Sequence, residues 1–212
     1  MNTDSTDRKR EASWRMFCAF ELPQSLQTRI HEHAQLVRET VPEAAASWSR
    51  PENIHLTVKF FGNVDQAKVP AISAAAARVV TDFSPVQIEV GKTGVFPRPS
   101  RPQVLWIGIS DPSGALLKLQ QNLEEEFAVE GFPKEDRAFR PHLTIARIRN
   151  PHNASRLAQT HLELEFSNVT LTLNELVLFR SELSSKGSKY TAISTHPLTN
   201  ASTPGPQASR LH

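Results

Sequence analysis

The chain has 212 residues, 39% of them hydrophobic and 22% charged, a composition typical of a folded protein with one large domain or two small lobes. Its 24 Lys and Arg residues nearly balance its 22 Asp and Glu residues, which excludes binding a duplex by overall charge but allows a local basic groove. The single cysteine, Cys18, excludes an intrachain disulfide and a multi-cysteine metal site, and we expect it to be a buried structural thiol.

We predict neither a signal peptide nor a membrane span. Residues 1–13 are polar and charged without the apolar stretch of a signal peptide, and no run approaches the roughly 18 apolar residues that a membrane span needs. We predict disordered segments at residues 1–13 and 199–212, with one folded domain over residues 14–198. We expect a cytoplasmic monomer with no membrane contact.

Strand and helix periodicities alternate along the predicted domain. In chain order we predict a strand at 14–22, a helix after Pro23, a connection over 42–50, a strand at 54–61 stopped by Gly62 and Asn63, and a helix at 67–80. Strands at 86–95 and 104–109 flank residues 96–102, whose prolines predict a loop without regular structure. A helix at 115–129, a strand at 142–148 and a short helix at 151–160 precede strand-like runs at 162–166, 169–173, 175–182 and 190–194. Short turns between several strands favour antiparallel pairing, and therefore an α+β fold.

One four-residue motif occurs twice, as HLTV at residues 55–58 and HLTI at residues 142–145. A random order of this composition gives about 0.006 such matches, so the repeat is not accidental. Side chains two apart in a strand share a face, so the histidine of each motif lies beside its threonine and opposite an apolar face. If the two polar faces meet, two imidazoles and two hydroxyls converge on one cleft between two similar lobes.

Such a cleft is suited to acid–base chemistry on a phosphate ester. Of His55 and His142, one imidazole can accept a proton while the other donates one near neutral pH. The hydroxyls of Thr57 and Thr144 can donate hydrogen bonds to non-bridging phosphate oxygens. A strained cyclic phosphodiester fits this arrangement, and neither a metal nor a cofactor is required. Zinc is the weaker alternative, because two histidines without cysteine or acidic partners fall short of three or four ligands.

With these motifs the chain resembles the 2H phosphoesterases, in particular the bacterial and archaeal RNA 2′,3′-cyclic phosphodiesterases (2′–5′ RNA ligase-like). The likeness covers roughly residues 15–190, and the paired motifs are its specific part. Weaker support comes from Trp48 and from residues 15–20, 52–62, 94–97, 105–108 and 140–147. The resemblance implies a bilobal fold, in which two pseudo-twofold-related lobes, each an antiparallel sheet backed by helices, enclose a central cleft.

The resemblance also implies an activity: hydrolysis of a 2′,3′-cyclic phosphate on an RNA or nucleotide end to a 2′-phosphomonoester. His55 and His142 would be catalytic, and Thr57 and Thr144 would face the phosphate. We interpret His55 as the acid for the leaving 3′ oxygen and His142 as the base for water. The near-symmetry of such a site leaves the reverse assignment open.

Three cations are further candidates for substrate binding. Arg147 matches a family position after the second motif, but simple alternation places it on the face opposite the motif histidine unless a bulge brings it round. Lys59 and Arg140 share the parity of their histidines and could contact phosphate or ribose. A solvated surface charge is an equally good interpretation of both.

Two other features are less specific. Arg98 and Arg101 in residues 96–102 could hold an RNA backbone beside an aromatic ring, and an ordinary proline-rich turn is equally plausible. His31 and His33 lie in the first predicted helix, and we expect both to be exposed and passive.

Three other functions stay open. The same histidines could open a small cyclic nucleotide, or join RNA ends without ATP when a 5′-hydroxyl replaces water. A third possibility is a module that binds RNA ends without cutting them. The presence of both motif histidines argues against that last function.

Overall fold

Two antiparallel β-sheets and four α-helices make up the part of the chain that the computed structural model describes, residues 13–184 and 187–200. The strands are β1 (Ser13–Glu21), β2 (Ala46–Trp48), β3 (His55–Asp65), β4 (Val86–Arg98), β5 (Arg101–Ser110), β6 (His142–Ile148), β7 (Val169–Leu173), β8 (Glu175–Ser184) and β9 (Gly187–Pro197). The helices are α1 (Gln24–Thr40), α2 (Val69–Val80), α3 (Ala115–Val129) and α4 (Ala154–Glu163). Short 3₁₀ turns, Pro51–Asn53 and Gln66–Lys68, precede β3 and α2.

Each sheet carries one of the two motif strands. The first sheet has the order β3-β1-β8-β9 and the second has the order β2-β6-β5-β4-β7, with every pairing antiparallel. Helix α2 contacts β8 and β9 of the first sheet, whereas α4 contacts β4 and β5 of the second sheet and α1 contacts its β6. The predicted α+β fold, with a helix-backed antiparallel sheet in each of two lobes, is confirmed.

The main core lies between the sheets and their helices. Helix α1 shows why: Leu26, Ile30, Ala34 and Val37 recur at helical spacing and are all buried on one side. A second, smaller cluster lies on the other face of the first sheet and consists of Phe17, Ala19, Val177 and Phe179, with Tyr190 packed against it. The first sheet therefore buries apolar side chains on both faces, and one of those faces carries the first motif.

Cys18 alternates with the residues of the small cluster and points into the main core, where it is buried, as predicted. Burial raises the pKa of its thiol far above the ordinary value, because a thiolate would lose its hydration there. It is a packing residue.

The prediction that His33 is exposed is wrong. His33 of α1 is 5% exposed, and its Nε2 lies 3.1 Å from Nδ1 of the fully buried His161 in α4. The Nε2 of His161 lies 3.0 Å from the carbonyl oxygen of Trp106. Because a carbonyl can only accept, His161 donates to Trp106 and accepts from His33. Packing of α1 against α4, a contact remote in sequence, buries the pair.

Several element boundaries differ from the predictions. The predicted connection over 42–50 contains β2, and the predicted strand at 162–166 falls on the end of α4 and an irregular segment. Strand β3 continues through Gly62, whose φ of 72° lies beside a register shift, so this glycine marks a bulge rather than a stop. Residues 96–102 are not irregular, because β4 and β5 pair as far as Arg98 and Arg101. A register shift after Phe96 accommodates the prolines there.

The predicted terminal segments, residues 1–13 and 199–212, lie outside the described residues except at their inner edges, where Ser13 begins β1. Among the described helices, none is both long and apolar enough to cross a membrane.

Candidate active site

A β-bulge follows the first motif histidine and sets the direction of the side chains beyond it. His55 and Thr57 share one face of β3, but Val58 has no partner across the β1–β3 ladder, because Thr57 and Lys59 pair with adjacent residues of β1. The unpaired Val58 reverses the alternation of side chains between the two faces of the strand. Lys59 therefore points to the buried side, is 7% exposed and forms an ion pair with Glu124. The prediction that Lys59 shares the face of His55 is wrong for this reason.

The second motif strand carries a bulge at the equivalent position. Thr144 and Ala146 pair with adjacent residues of β5, which leaves Ile145 without a partner. Beyond the bulge, Ala146 is buried and Arg147 is exposed on the cleft face that carries His142 and Thr144. The bulge that simple alternation could not foresee thus brings Arg147 round to the second motif.

The two motif strands contact each other, and a cleft of about 720 Å³ lies beside them. Six of the seven predicted site residues line this cleft: Thr57, Lys59, Arg140, His142, Thr144 and Arg147. The seventh, His55, lines a neighbouring pocket of about 240 Å³ that also contains Arg50, Lys189 and Tyr190. The pocket adjoins the cleft along β3, because Thr57, two residues from His55 on the same strand face, lines the cleft.

The imidazole of His142 is held by its own backbone and by two aromatic rings. Its Nδ1–H donates to the carbonyl oxygen of Arg140 at 2.7 Å, which leaves Nε2 available for a proton transfer. The rings of Phe96 and Trp106 pack against it, with centroids at 5.0 and 6.3 Å. Burial lowers the pKa of His142, and the nearby charge of Arg147 lowers it further, so the neutral form prevails at neutral pH.

The imidazole of His55 lies in an aromatic setting. The ring of Phe17 stacks on it with centroids 4.8 Å apart, and Tyr190 meets it edge-on at 5.3 Å. Burial lowers the pKa of His55 to about 4, against a smaller opposing effect of a backbone hydrogen bond to Asn53. Arg140 and Asn53 each lie two residues before their histidine, so both lobes orient the imidazole in the same way.

Gly94 explains one of the weaker stretches of the resemblance. It pairs with Trp106 across the β4–β5 ladder, and a Cβ added to it would lie 2.1 Å from the indole ring. Only glycine lets the indole lie over β4, where it also packs against Phe96 with centroids 5.1 Å apart. Both rings support His142, so this glycine serves the site indirectly.

Sequence reasoning missed several cleft residues. Phe60 occupies the position after the first motif that Arg147 occupies after the second, and it is 46% exposed with the Arg15 guanidinium 4.5 Å above its ring. Phe60 and Arg147 each lie five residues after a motif histidine, where simple alternation predicts the opposite strand face. The bulges bring both onto the cleft side. Arg137 and Phe139 also line the cleft from the irregular residues 131–141, which carry no periodic signal.

Two other sequence features are placed as follows. Arg98 and Arg101 face each other at the tip of the β4–β5 hairpin, exposed and beyond the cleft-lining residues. Within residues 13–184 and 187–200, no group of three or more His, Cys, Asp or Glu side chains is arranged to hold a metal ion.

Comparison with known proteins identifies the family of this chain. The family model described as the 2′-5′ RNA ligase superfamily matches residues 22–184. An RNA 2′,3′-cyclic phosphodiesterase of Methanothermobacter thermautotrophicus is 34% identical over 180 residues, covering 84% of this chain and 95% of the relative. A protein of the same name from Aquifex aeolicus is 30% identical over 168 residues, covering 77% of this chain and 88% of the relative.

Among solved structures, a Thermus thermophilus protein superposes with a TM-score of 0.71 at 25% identity, covering 87% of this chain and 98% of that one. Its fold is therefore shared over nearly the whole described domain. The expected kinship with the 2H phosphoesterases is confirmed, and the chain belongs to the 2′-5′ RNA ligase superfamily.

Proposed function

We propose that this protein hydrolyses the 2′,3′-cyclic phosphate of RNA or nucleotide ends to a 2′-phosphomonoester by metal-independent acid–base catalysis. One observation carries the proposal: two equivalent bulged strands present a histidine and a threonine each, with Thr57, His142, Thr144 and Arg147 on one cleft. The names of the M. thermautotrophicus and A. aeolicus relatives support the same reaction.

In this mechanism His142 is the base. Its Nδ1–H is committed to the Arg140 carbonyl, so the free Nε2 can accept a proton from water as the water oxygen attacks phosphorus. The P–O3′ bond breaks, and the 3′ oxygen takes a proton from His55 to become a hydroxyl. This role requires that the negative charge of bound substrate raise the pKa of His55 from about 4.

The remaining cleft residues would bind the phosphate and ribose. The Thr57 and Thr144 hydroxyls would donate to non-bridging oxygens, which gain charge in the transition state. The Arg147 and Arg140 guanidinium groups, both exposed on the cleft, would neutralise the phosphate. Both cations lie on the His142 side, so the anion is held from the second lobe.

The test is an assay in EDTA with an oligoribonucleotide that ends in a 2′,3′-cyclic phosphate. The wild type should yield a 2′-phosphate, and His55→Ala and His142→Ala should each lose roughly 10²- to 10⁴-fold in rate. His152→Ala, which removes an exposed histidine that does not line the cleft, is the matched control and should retain full activity.

Three results would contradict the proposal. Strong inhibition by EDTA would exclude the metal-independent mechanism. Binding of this RNA without ring opening would favour a binding module. Turnover only of small cyclic nucleotides that lack a 2′,3′-cyclic phosphate would change the substrate class.

A further inference from the structure

Lys59 and Glu124 form a buried ion pair at the edge of the cleft. Lys59 Nζ lies 2.6 Å from Glu124 Oε2, and the two side chains are 6% and 8% exposed. In every other ion pair among the described residues, both side chains are at least 26% exposed. A buried pair carries a large desolvation cost, so net stability alone does not explain its presence.

The pair holds a segment that has no helix or strand of its own. Residues 131–141, called here the wall segment, connect α3 to β6. Lys59 Nζ donates to the carbonyl oxygen of Pro133 at 2.7 Å, and Glu124 Oε2 accepts from the backbone N–H of Glu135 at 3.1 Å. Gln120 donates to the other carboxylate oxygen at 3.2 Å. The network therefore ties the wall segment to a strand of the first lobe and to α3.

The wall segment supplies one side of the cleft and leads into the second motif. Arg137, Phe139 and Arg140 all line the cleft from this segment. The carbonyl oxygen of Arg140 also accepts the Nδ1–H of His142.

The two ends of the segment are held separately, by the Phe132 N–H on the Phe127 carbonyl at 2.9 Å and by the Ile109 N–H on the Pro141 carbonyl at 3.2 Å. The anchor at Pro133 and Glu135 acts on the irregular backbone between these ends.

We propose that Lys59 is a positioning residue for RNA binding, whose ion pair with Glu124 fixes the wall segment so that Arg137, Phe139 and Arg140 meet the substrate. The proposal rests on the proposed function for its RNA readout. It replaces the direct phosphate contact expected from simple strand parity, since Lys59 Nζ already donates to two protein acceptors, Glu124 and Pro133.

The test compares Lys59→Met, Lys59→Arg and the neutral double variant Lys59→Met/Glu124→Gln with the wild type. Hydrogen–deuterium exchange of residues 131–141 and the split between KM and kcat on the cyclic-phosphate oligoribonucleotide are both measured. Lys59→Met should speed exchange of the wall segment and raise KM by about tenfold, the worth of one charge-assisted hydrogen bond, with kcat nearly unchanged. Lys59→Arg keeps a cation and its donors, so it should bring the exchange of the wall segment and KM most of the way back to wild-type values.

Lys134→Met is the matched control. Lys134 lies in the same segment and pairs with Glu125 at 3.4 Å, but its side chain is 54% exposed. Lys134→Met removes the same charge but leaves the buried Lys59–Glu124 anchor intact, so the exchange of the wall segment and KM should stay at wild-type values. If Lys59→Met does not fold, the double variant, which leaves no unpaired buried charge, takes its place with the same expectations.

Each outcome decides the proposal. Unchanged exchange and KM in Lys59→Met overturn it, as does a hundredfold loss of kcat with unchanged exchange, which would make Lys59 a phosphate ligand. If the wild type does not open the cyclic phosphate, the proposed function fails separately. The exchange of residues 131–141 still tests the anchor: faster exchange in Lys59→Met supports it, and unchanged exchange overturns it.

Discussion

The ring of Phe17 stacks on the imidazole of His55, with centroids 4.8 Å apart and an interplanar angle of 25°. Phe17 is 2% exposed and also stacks on Phe179 at 5.1 Å, and Phe179 lies 6.4 Å from His55, so the histidine belongs to a cluster of aromatic rings. Loss of hydration by burial is the main cause of the lowered pKa of His55.

Substitution of Phe17 by leucine should therefore raise the pKa of His55. A smaller side chain uncovers part of the imidazole, and water then stabilises the charged form, so the pKa moves from about 4 toward its ordinary value. NMR titration of the imidazole protons measures this directly. Phe127→Leu, which shortens a fully buried ring in α3, is the control. Both variants should lose about 1–2 kcal/mol of stability, but only Phe17→Leu should move the titration. An unchanged titration midpoint of His55 in Phe17→Leu would mean that groups other than Phe17 lower its pKa.

Arg147 should contribute to substrate binding through its charge on the cleft. Arg147→Met should lower kcat/KM by about tenfold to a hundredfold, since a charge-assisted hydrogen bond is worth about 1.5–3 kcal/mol. Arg149→Met removes the same charge two residues later, where the side chain donates to Ser47 Oγ at 2.6 Å instead of lining the cleft. It should keep the wild-type value. Equal losses in both variants would indicate a diffuse charge effect and not a site residue.

The sequence was informative where a structural feature depends on local periodicity. The period of two placed His55 with Thr57 and His142 with Thr144, and it indicated antiparallel α+β layers. The period of two failed for Lys59, because a bulge arises from the way two strands pair and cannot be recognised in the sequence of one strand.

The burial of His33 was also beyond local reasoning. On α1 alone its position is ambiguous, and only the packing of α4, which follows more than a hundred residues later, covers it. The wall segment is a similar case, since irregular backbone carries no period and its anchor joins three distant parts of the chain.

The buried His33–His161 pair should make the fold sensitive to acid. Burial, and then the neighbouring His161, lower the pKa of His33 to about 4, below the ordinary value of 6.5 that the unfolded chain keeps. Between these two values the unfolded state binds more protons, so stability is fully present above pH 6.5 and falls as the pH drops toward 4. One such group contributes a slope of about 1.4 kcal/mol per pH unit at most.

His33→Gln tests this prediction, because the amide can still donate to His161 Nδ1 but does not titrate. Denaturant unfolding measured from pH 7 to pH 4 should show a shallower loss of stability than in the wild type. His152→Gln, at an exposed position, should leave the slope unchanged. A wild-type slope in His33→Gln would mean that the other buried histidines account for the acid sensitivity.

Gly94 should be intolerant of even a methyl group, and the cause should be Trp106. A Cβ at Gly94 would lie 2.1 Å from the indole, so Gly94→Ala must displace the ring that packs against His142. We expect a stability loss of about 1–3 kcal/mol and a kcat/KM lower by about tenfold or more.

Trp106→Phe removes the clashing atoms and sacrifices no hydrogen bond, because the indole Nε1 has no partner among the described residues. The double variant Gly94→Ala/Trp106→Phe should therefore be more stable and more active than Gly94→Ala, and a thermodynamic cycle over the four proteins measures the coupling. Additive losses in that cycle would separate the glycine from the tryptophan and contradict the proposed cause.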